Sequence, residues 1–439
     1  MDLKAEYAER LTNGPAAVAL IESHSTVALG QAAGQPPELM RCLADRAAAG
    51  GLSDVRLYYF HSEQPMADTL LRYELMDDLH PYSFFLQAPE RKLIDQGAAD
   101  GHRKVVNFVP SSFGQSVRTF RDAIPVDTFL VQVSPMDTHG YFSFGTNNDY
   151  TSAVARMAKR LIVEVNANMP RVYGADPLHL REVDAIIEHT SDLPSLAPRP
   201  VRPNEQSIGS AVAALVPDGA TLQIGVGGLP NAVCAALRDR NDLGIHTEAL
   251  GPGLADLIDR GNATGNRKNI DKDRAVFTFA MGDNDFYGWM HENQAIMSAP
   301  VDYVNDPAVI ARNDRVVSIN STIEMDLTGA ANSEHLNGHQ FSASGGQLDF
   351  IRGAAASKGG LSIIAFPSTV RSGTISKIVP RLSGPVTTPR NDVHYVVTEH
   401  GTANLRGLSS SDRARALIAL AAPEHRSELE EAAREQHLI

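Results

Sequence analysis

The chain is poor in most of the features that announce a chemistry. Only two of its 439 residues are cysteine, Cys42 and Cys234, each inside an apolar, helix-like pattern. That usage excludes a disulfide scaffold and a paired-cysteine metal site, and it fits a reducing compartment. There is one tryptophan, and aromatic residues make up 6% of the chain. No apolar run approaches the length of a membrane-spanning helix. The N-terminus, MDLKAEYAERL, is amphipathic and acidic and lacks an apolar signal region. Positive charge is also scarce: 39 Lys and Arg against 52 Asp and Glu leave a formal charge of −13. That balance argues against nucleic acid or an anionic membrane as partner, and leaves a phosphate-bearing ligand to a local basic pocket. The expectation is a soluble, cytoplasmic protein. HExxH, EF-hand, Walker and GxSxG patterns are all missing, which leaves metal, nucleotide and serine-hydrolase chemistry without support. The HxE-like pieces His246-Thr247-Glu248 and Glu399-His400 lack partner ligands at helical spacing, so no metal is expected.

What is present is ordinary globular material, 43% apolar and 21% charged. The length suffices for two or three domains with a substantial core. Short apolar runs alternate with helical patterns throughout, which argues for an α/β chain with mostly parallel sheets and helices on their faces. In the first half, strands are expected at Thr26–Leu29, Val55–Phe60, Val105–Val109, Thr128–Val133 and Ile162–Val165. Helices are expected at Glu38–Ala48, Ala67–Met76 and Thr151–Leu161. Residues 191–206, SDLPSLAPRPVRPNEQ, are rich in proline and polar groups and read as a semi-rigid linker. Beyond it, strands are expected at Ala275–Ala280, Val316–Asn320, Leu361–Phe366 and Tyr395–Thr398, and a helix at Ser410–Ala422.

Two stretches resemble each other. AVALIESHSTVALGQAAGQPPELMRCL and SAVAALVPDGATLQIGVGGLPNAVCAAL share a helix, a Thr-started strand, a glycine turn, a proline and a second helix. Thr26 and Gly30 map onto Thr221 and Gly225 at one offset; Gly34, Pro36 and Leu43 map onto Gly228, Pro230 and Leu237 after a one-residue gap. The shared order reads as an internal duplication of two tandem domains, 1–195 and 207–439, rather than a chance likeness of two βα units.

The second copy continues into the stretch that carries the chemistry. Leu222 to Ile224 reads as a buried strand, followed by Gly225, Gly227 and Gly228 and a helix from Asn231 to Leu237. Glycines between a strand and a helix let backbone N–H groups approach an anionic ligand. A second strand, Leu243 to His246, then delivers Glu248 just before Gly251-Pro252-Gly253. In an open α/β sheet ligands bind outside the carboxyl ends of strands, so turn and carboxylate can face one crevice. A tight strand–helix connection beside a surface glutamate fits the same residues. Glu324 and Glu399 are the other carboxylates at strand ends. Glu324 alternates with Asp326 like a structural strand residue, and Glu399 fits an N-terminal charge for the segment after it. Glu248 alone follows a glycine turn able to hold a ligand, which makes it the candidate carboxylate nucleophile, with Gly-Gly backbone N–H groups for the developing oxyanion.

At these residues the chain resembles the acetyl-CoA hydrolase/transferase family, the class I CoA-transferases typified by 4-hydroxybutyrate CoA-transferase. The blocks run through almost the whole chain and include IPVDTFLVQVSPMDTHGYFSFG, EVNANMPR, IGVGGLPNAV, LGIHTE, PVDYVNDPAVI, SINSTIEMDLTG, GGQLDFIRGA, ISKIVP and TTPRNDVHYVVTEHGTANLRGLSS. The resemblance implies two tandem CoA-transferase domains of the glucosamine-phosphate isomerase-like type, acting on acyl-CoA and a small carboxylate with no permanently bound cofactor. It implies a ping-pong reaction in which Glu248 becomes a glutamyl-CoA thioester, and a homodimer. It places coenzyme A against Gly225, Val226, Gly227, Gly228 and Leu229, and the thioester against Gly345, Gly346 and Gln347. Asn320 and Ser342 fall in matching blocks, and Arg371 and Lys377 are candidates for the CoA phosphates. Two departures bear on the substrate. Ala249-Leu250-Gly251-Pro252 stands where relatives carry a methionine and then Asp-Gly, and ANSEHLNGHQ (331–340) is similar to the itaconate CoA-transferase branch. His335 or Arg171 would then favour a dicarboxylate acceptor. An acyl-CoA hydrolase shares every one of these motifs, and a silent CoA-binding regulatory protein is the alternative of another class.

Overall fold

The structure, a computed structural model, describes residues 2–196 and 200–439. The described residues divide into two compact units, 2–196 with 278–302 and 200–277 with 303–439. The stretch Thr278–Asp302 therefore groups with the first unit, although the chain reaches it only after the first strands of a second sheet. Of the expected linker, residues 197–199 lie outside the described residues. Its last four residues are not linker at all, because Pro203–Leu215 is a helix with Pro203 in its first turn, where a missing N–H has no partner to lose.

The first unit is built on a seven-stranded sheet. Its strands are β1 (Thr26–Leu29), β2 (Val55–Tyr59), β3 (Leu79–Ser83), β4 (Asn107–Phe108), β5 (Thr128–Val133), β6 (Arg160–Val165) and β7 (Ala185–Glu188). They run in the order β4-β3-β2-β1-β5-β6-β7, and each pairing is parallel. All six residues of β5 and all four of β1 are buried, which is why these strands read as unbroken apolar runs rather than as alternation.

The second unit repeats the plan. Six strands of its sheet are β8 (Thr221–Ile224), β9 (Gly244–Leu250), β10 (Val316–Asn320), β11 (Leu361–Ala365), β12 (Tyr395–Thr398) and β13 (Gly401–Asn404), in the order β9-β8-β10-β11-β12-β13, and the expected strand Ala275–Ala280 follows β9 in the same sheet. Only the last pair is antiparallel. In both units the first strand lies between the second strand and the one that follows the crossover: β2-β1-β5-β6-β7 against β9-β8-β10-β11-β12. Thr26 and Thr221 open the two equivalent strands, so the duplicated sequence has a duplicated topology beneath it.

Several boundaries differ from expectation. The helix expected over Ala67–Met76 is a four-residue turn, Gln64–Ala67, and a 3-10 turn, Tyr73–Leu75. Leu70, Leu71, Leu75 and Met76 are all buried there, and burial of adjacent leucines in an irregular segment outweighs the helical spacing. The helix expected at Thr151–Leu161 ends at Met157, and β6 starts at Arg160. The strand expected over Val105–Val109 shrinks to Asn107–Phe108. Among the described residues no helix is long and apolar enough to cross a membrane.

Candidate active site

Glu248 lies inside a strand, not after it as expected from the apolar run that ends at His246. β9 continues to Leu250, and Thr247 adds a side-chain link to β8. Its Oγ1 accepts from the Ile224 N–H at 3.3 Å and donates to the Ile224 carbonyl at 3.0 Å. The last residue of β8 is thus tied to β9 one step before Glu248. Successive strand side chains alternate faces, so His246 and Glu248 project from the same side.

Two neighbours hold the Glu248 carboxylate. Asn305 Nδ2 donates to its Oε2 at 2.6 Å, and the Gly346 backbone N–H donates to the same carboxylate. Gly346 caps the helix α1 (Gln347–Ala356). A Cβ on Gly346 would stand 1.9 Å from Glu248 Oε2 and 2.1 Å from Asn305 Nδ2. The site therefore needs glycine at 346 for space, since its φ of −98° suits any residue. Asn305 is 1% exposed, and its Oδ1 is buried without a partner. An amide with one end orphaned is expensive to bury, and here its other end is spent on the carboxylate.

Glu248 keeps some solvent access, yet the surrounding protein strips most of the water from its carboxyl. Desolvation raises its pKa from 4.5 to about 7; the Asn305 bond pulls it back, Asp349 pushes it further up, and the Gly346 N–H opposes. The folded value lies above the unfolded one, so the native state loses stability as pH rises from about 4.5 to about 7. There the unfolded carboxyl ionises and the folded one resists. Below pH 4.5 both forms are protonated and no penalty remains. Glu248→Gln cannot ionise, and it is expected to be more stable than the parent at pH 8 by about 1–3 kcal/mol. The gain should vanish at pH 4, as read from urea unfolding at the two pH values.

The glycine turn after β8 is open. Gly227 has φ +124°, which suits glycine alone, and caps a helix that begins at Gly228. That start is three residues earlier than expected, and it puts Pro230 at the third helical position, where an N–H has no intrahelical partner either. A Cβ on Gly225 or Gly227 would meet nothing within 4 Å. The matching turn of the first unit is closed: a Cβ on Gly30 would stand 2.3 Å from the Gly34 carbonyl, and Gly34 lies against Asn147. Val226 and Leu229 are half-buried beside the open turn.

The other expected residues are spread over the second unit. Asn320 ends β10 and exchanges amide bonds with Gln223 at 3.1 and 3.3 Å. Gly345 (φ +55°) and Gly346 adjoin Glu248, but the Gln347 side chain turns to Thr388 Oγ1 at 2.9 Å. Ser342 is held through its backbone by Glu334 and Gln340. Arg371 stands exposed, with φ +50°, at the tip of a hairpin between Thr369–Val370 and Ile375–Ser376. Lys377 is largely enclosed, its Nζ 5.1 Å over the Phe366 ring. Burial brings its pKa down to about 8 against the pull of Glu399.

The rival carboxylates are engaged by structural donors. Glu324 accepts from Ser383 N, Ser383 Oγ and Asn332 Nδ2, and Glu399 accepts from Ser368 N and Oγ. Arg171, in the first unit, is committed to the Pro135 and Tyr141 carbonyls. His335 lies against Gly384 and bonds Asn332 through its backbone N–H.

Sequence reasoning passed over Asn305 and His246. Asn305 sits in the block PVDYVNDPAVI without a motif of its own. His246 registered only as half of an incomplete metal pattern.

Comparison with known proteins agrees over the full length. Residues 1–196 match the acetyl-CoA hydrolase/transferase N-terminal domain, and residues 282–433 match the C-terminal domain of the same name. The chain is 40% identical to a succinyl-CoA:cyclohexane-1-carboxylate CoA transferase of Geobacter metallireducens, covering 99% of this chain and 97% of that protein. It is 39% identical to a 4-hydroxybutyrate coenzyme A transferase of Clostridium kluyveri, covering 98% of each. Among solved structures it is similar to RipA from Yersinia pestis, at 57% identity and a TM-score of 0.98 over 100% of both chains.

Proposed function

The chain belongs to the acetyl-CoA hydrolase/transferase family, and from that premise we propose that it is a CoA-transferase with Glu248 as its nucleophile. The observation that carries the reading is the seat of that carboxylate, between the Asn305 amide and the Gly346 N–H. With Oε2 held by Asn305, Oε1 attacks the thioester carbonyl of an acyl-CoA. The carbon–sulfur bond breaks, leaving an acyl-glutamyl anhydride and CoA thiolate. The thiolate then attacks the glutamyl carbonyl, expelling the first carboxylate and leaving a glutamyl-CoA thioester. A second carboxylate runs the same steps in reverse and departs as its CoA thioester. Oε2 carries negative charge each time the glutamyl carbon becomes tetrahedral; the Asn305 amide already points at it, and the Gly346 N–H serves the same carboxylate. Such preorganised donors serve a transition state at no reorganisation cost. A pKa near 7 makes the carboxylate more basic than a solvated one while leaving it about half ionised at neutral pH.

In this reading coenzyme A lies along the turn Gly225–Leu229, with Gly345, Gly346 and Gln347 beside the thioester and Asn320 and Ser342 further out. Arg371 and Lys377 face its phosphates. The donor is acetyl-CoA or succinyl-CoA. The acceptor is a small acid, 4-hydroxybutyrate or butyrate, or a dicarboxylate such as itaconate, as ANSEHLNGHQ suggests. The protein works as a cytoplasmic homodimer of chains in which 1–195 and 207–439 are tandem domains, the second carrying the nucleophile.

The test is to incubate the enzyme with acetyl-CoA or succinyl-CoA and a panel of acids, and to follow both the new CoA thioester and free CoA. Transfer that depends on the acceptor supports the reading. Release of free CoA at the same rate with and without acceptor makes the protein a hydrolase, and no turnover with any pair makes it a binding protein.

A further inference from the structure

His246 is the buried titratable group nearest in sequence to the nucleophile, and the proposed chemistry leaves it unused. It is 1% exposed and stands two residues before Glu248 on the same face of β9. Its Nε2 lies 2.8 Å from the Val304 carbonyl, so that nitrogen carries the hydrogen and Nδ1 is left bare. Nδ1 is buried without a partner. Burial first, then Lys268, push the pKa down to about 4 against the Val304 bond and Asp271, so the ring stays neutral at neutral pH. The imidazole also lies 6.3 Å, centroid to centroid, from both Tyr303 and Phe350. Tyr303 leads into Val304-Asn305, and its hydroxyl is tied to Asp271 at 2.8 Å. Phe350 is on α1, the helix whose cap is Gly346.

One ring thus bonds one of the segments that supply donors to Glu248 and lies beside the other. His246 bonds the Val304 carbonyl, and the next residue, Asn305, bonds Glu248: two successive links join alternate residues of β9 to two adjacent residues of one segment. We infer that His246 is a positioning residue, which fixes the Val304–Asn305 peptide and so aims the Asn305 amide at the Glu248 carboxylate. The inference rests on the reading of Glu248 as nucleophile. A neutral donor suits the task, because its bond to a carbonyl does not change with pH. The charged group facing Glu248 from α1 is Asp349, and those facing His246 are Lys268 and Asp271.

The test compares His246→Gln, whose amide nitrogen reaches about as far as Nε2, with His246→Asn, which is too short to reach Val304. His246→Asn is expected to lower kcat by about 10- to 100-fold with the KM for acyl-CoA unchanged. The acid limb of its kcat/KM profile should move to higher pH, since a loosened Asn305 no longer favours the ionised carboxylate. His246→Gln should recover most of the rate and the parental limb. In an Asn305→Ala background, His246→Asn should cost nothing further, because both act through one bond. His246→Leu, which keeps bulk without a donor, is read in the same way should the Asn variant not fold. Parental kinetics in His246→Asn, equal losses in the Asn and Gln variants, or losses that multiply in the double variant would overturn the inference. Activity surviving in Glu248→Ala would instead remove the nucleophile assignment. A dead Glu248→Ala beside an unaffected His246→Asn removes only the positioning role.

Discussion

Glu248→Ala is expected to lower CoA exchange between acyl-CoA and carboxylate by at least about 10⁴-fold, the scale on which losing a covalent nucleophile is felt. CoA binding should survive, because the turn at Gly225–Leu229, proposed to hold CoA, and the helix after it do not depend on the carboxylate. Glu248→Gln is the stricter control. It keeps the shape of the side chain and an oxygen for the Asn305 amide, and it removes only the capacity to be acylated. Both variants should be equally inactive while CoA affinity, read by calorimetry, stays within about threefold of the parent. Measurable exchange in Glu248→Gln would mean that another group carries the acyl unit.

Gly346→Ala is expected to have the next largest effect, about 100-fold or more in kcat. The added methyl would lie 1.9 Å from Glu248 Oε2 and 2.1 Å from Asn305 Nδ2. Neither atom can stay. The variant keeps the backbone N–H and an allowed backbone conformation, with φ −98° and ψ 13°, so the loss is steric rather than a loss of a donor or a strained helix cap. Gly345→Ala makes the contrast. It places a side chain at φ +55°, which strains the turn and should show mainly as lower thermal stability. If Gly346→Ala turned over like the parent, the carboxylate would not be working from the position described.

Much of this arrangement was legible in the sequence, and the part that was not has a definite physical character. Thr26 with Gly30 and Thr221 with Gly225 announce the duplicated strand–turn–helix, because a buried parallel strand is a local apolar run and its turn needs local glycine. Glu248 could be singled out for the same reason, as a carboxylate following that turn, although the strand that carries it runs on to Leu250. The open and closed states of the two turns were not, since what fills the first is Gly34 and Asn147, and only folding brings the asparagine there. Asn305 is 57 residues from Glu248 and Val304 is 58 from His246. Bonds across such spans leave no period or spacing in the chain. The same limit shows at Gln347. The resemblance sets its block beside the proposed thioester, yet its side chain bonds Thr388, and the neighbouring Gly346 is the residue that meets the carboxylate. Block membership places a segment, and only the fold decides which way each side chain turns.

The most direct measurement is peptide mass spectrometry of enzyme incubated with acyl-CoA alone and trapped with hydroxylamine or borohydride. The expected result is a single modified peptide, with the hydroxamate or the reduced alcohol on Glu248. Modification of any other residue, or none in enzyme that still turns over, would contradict the account.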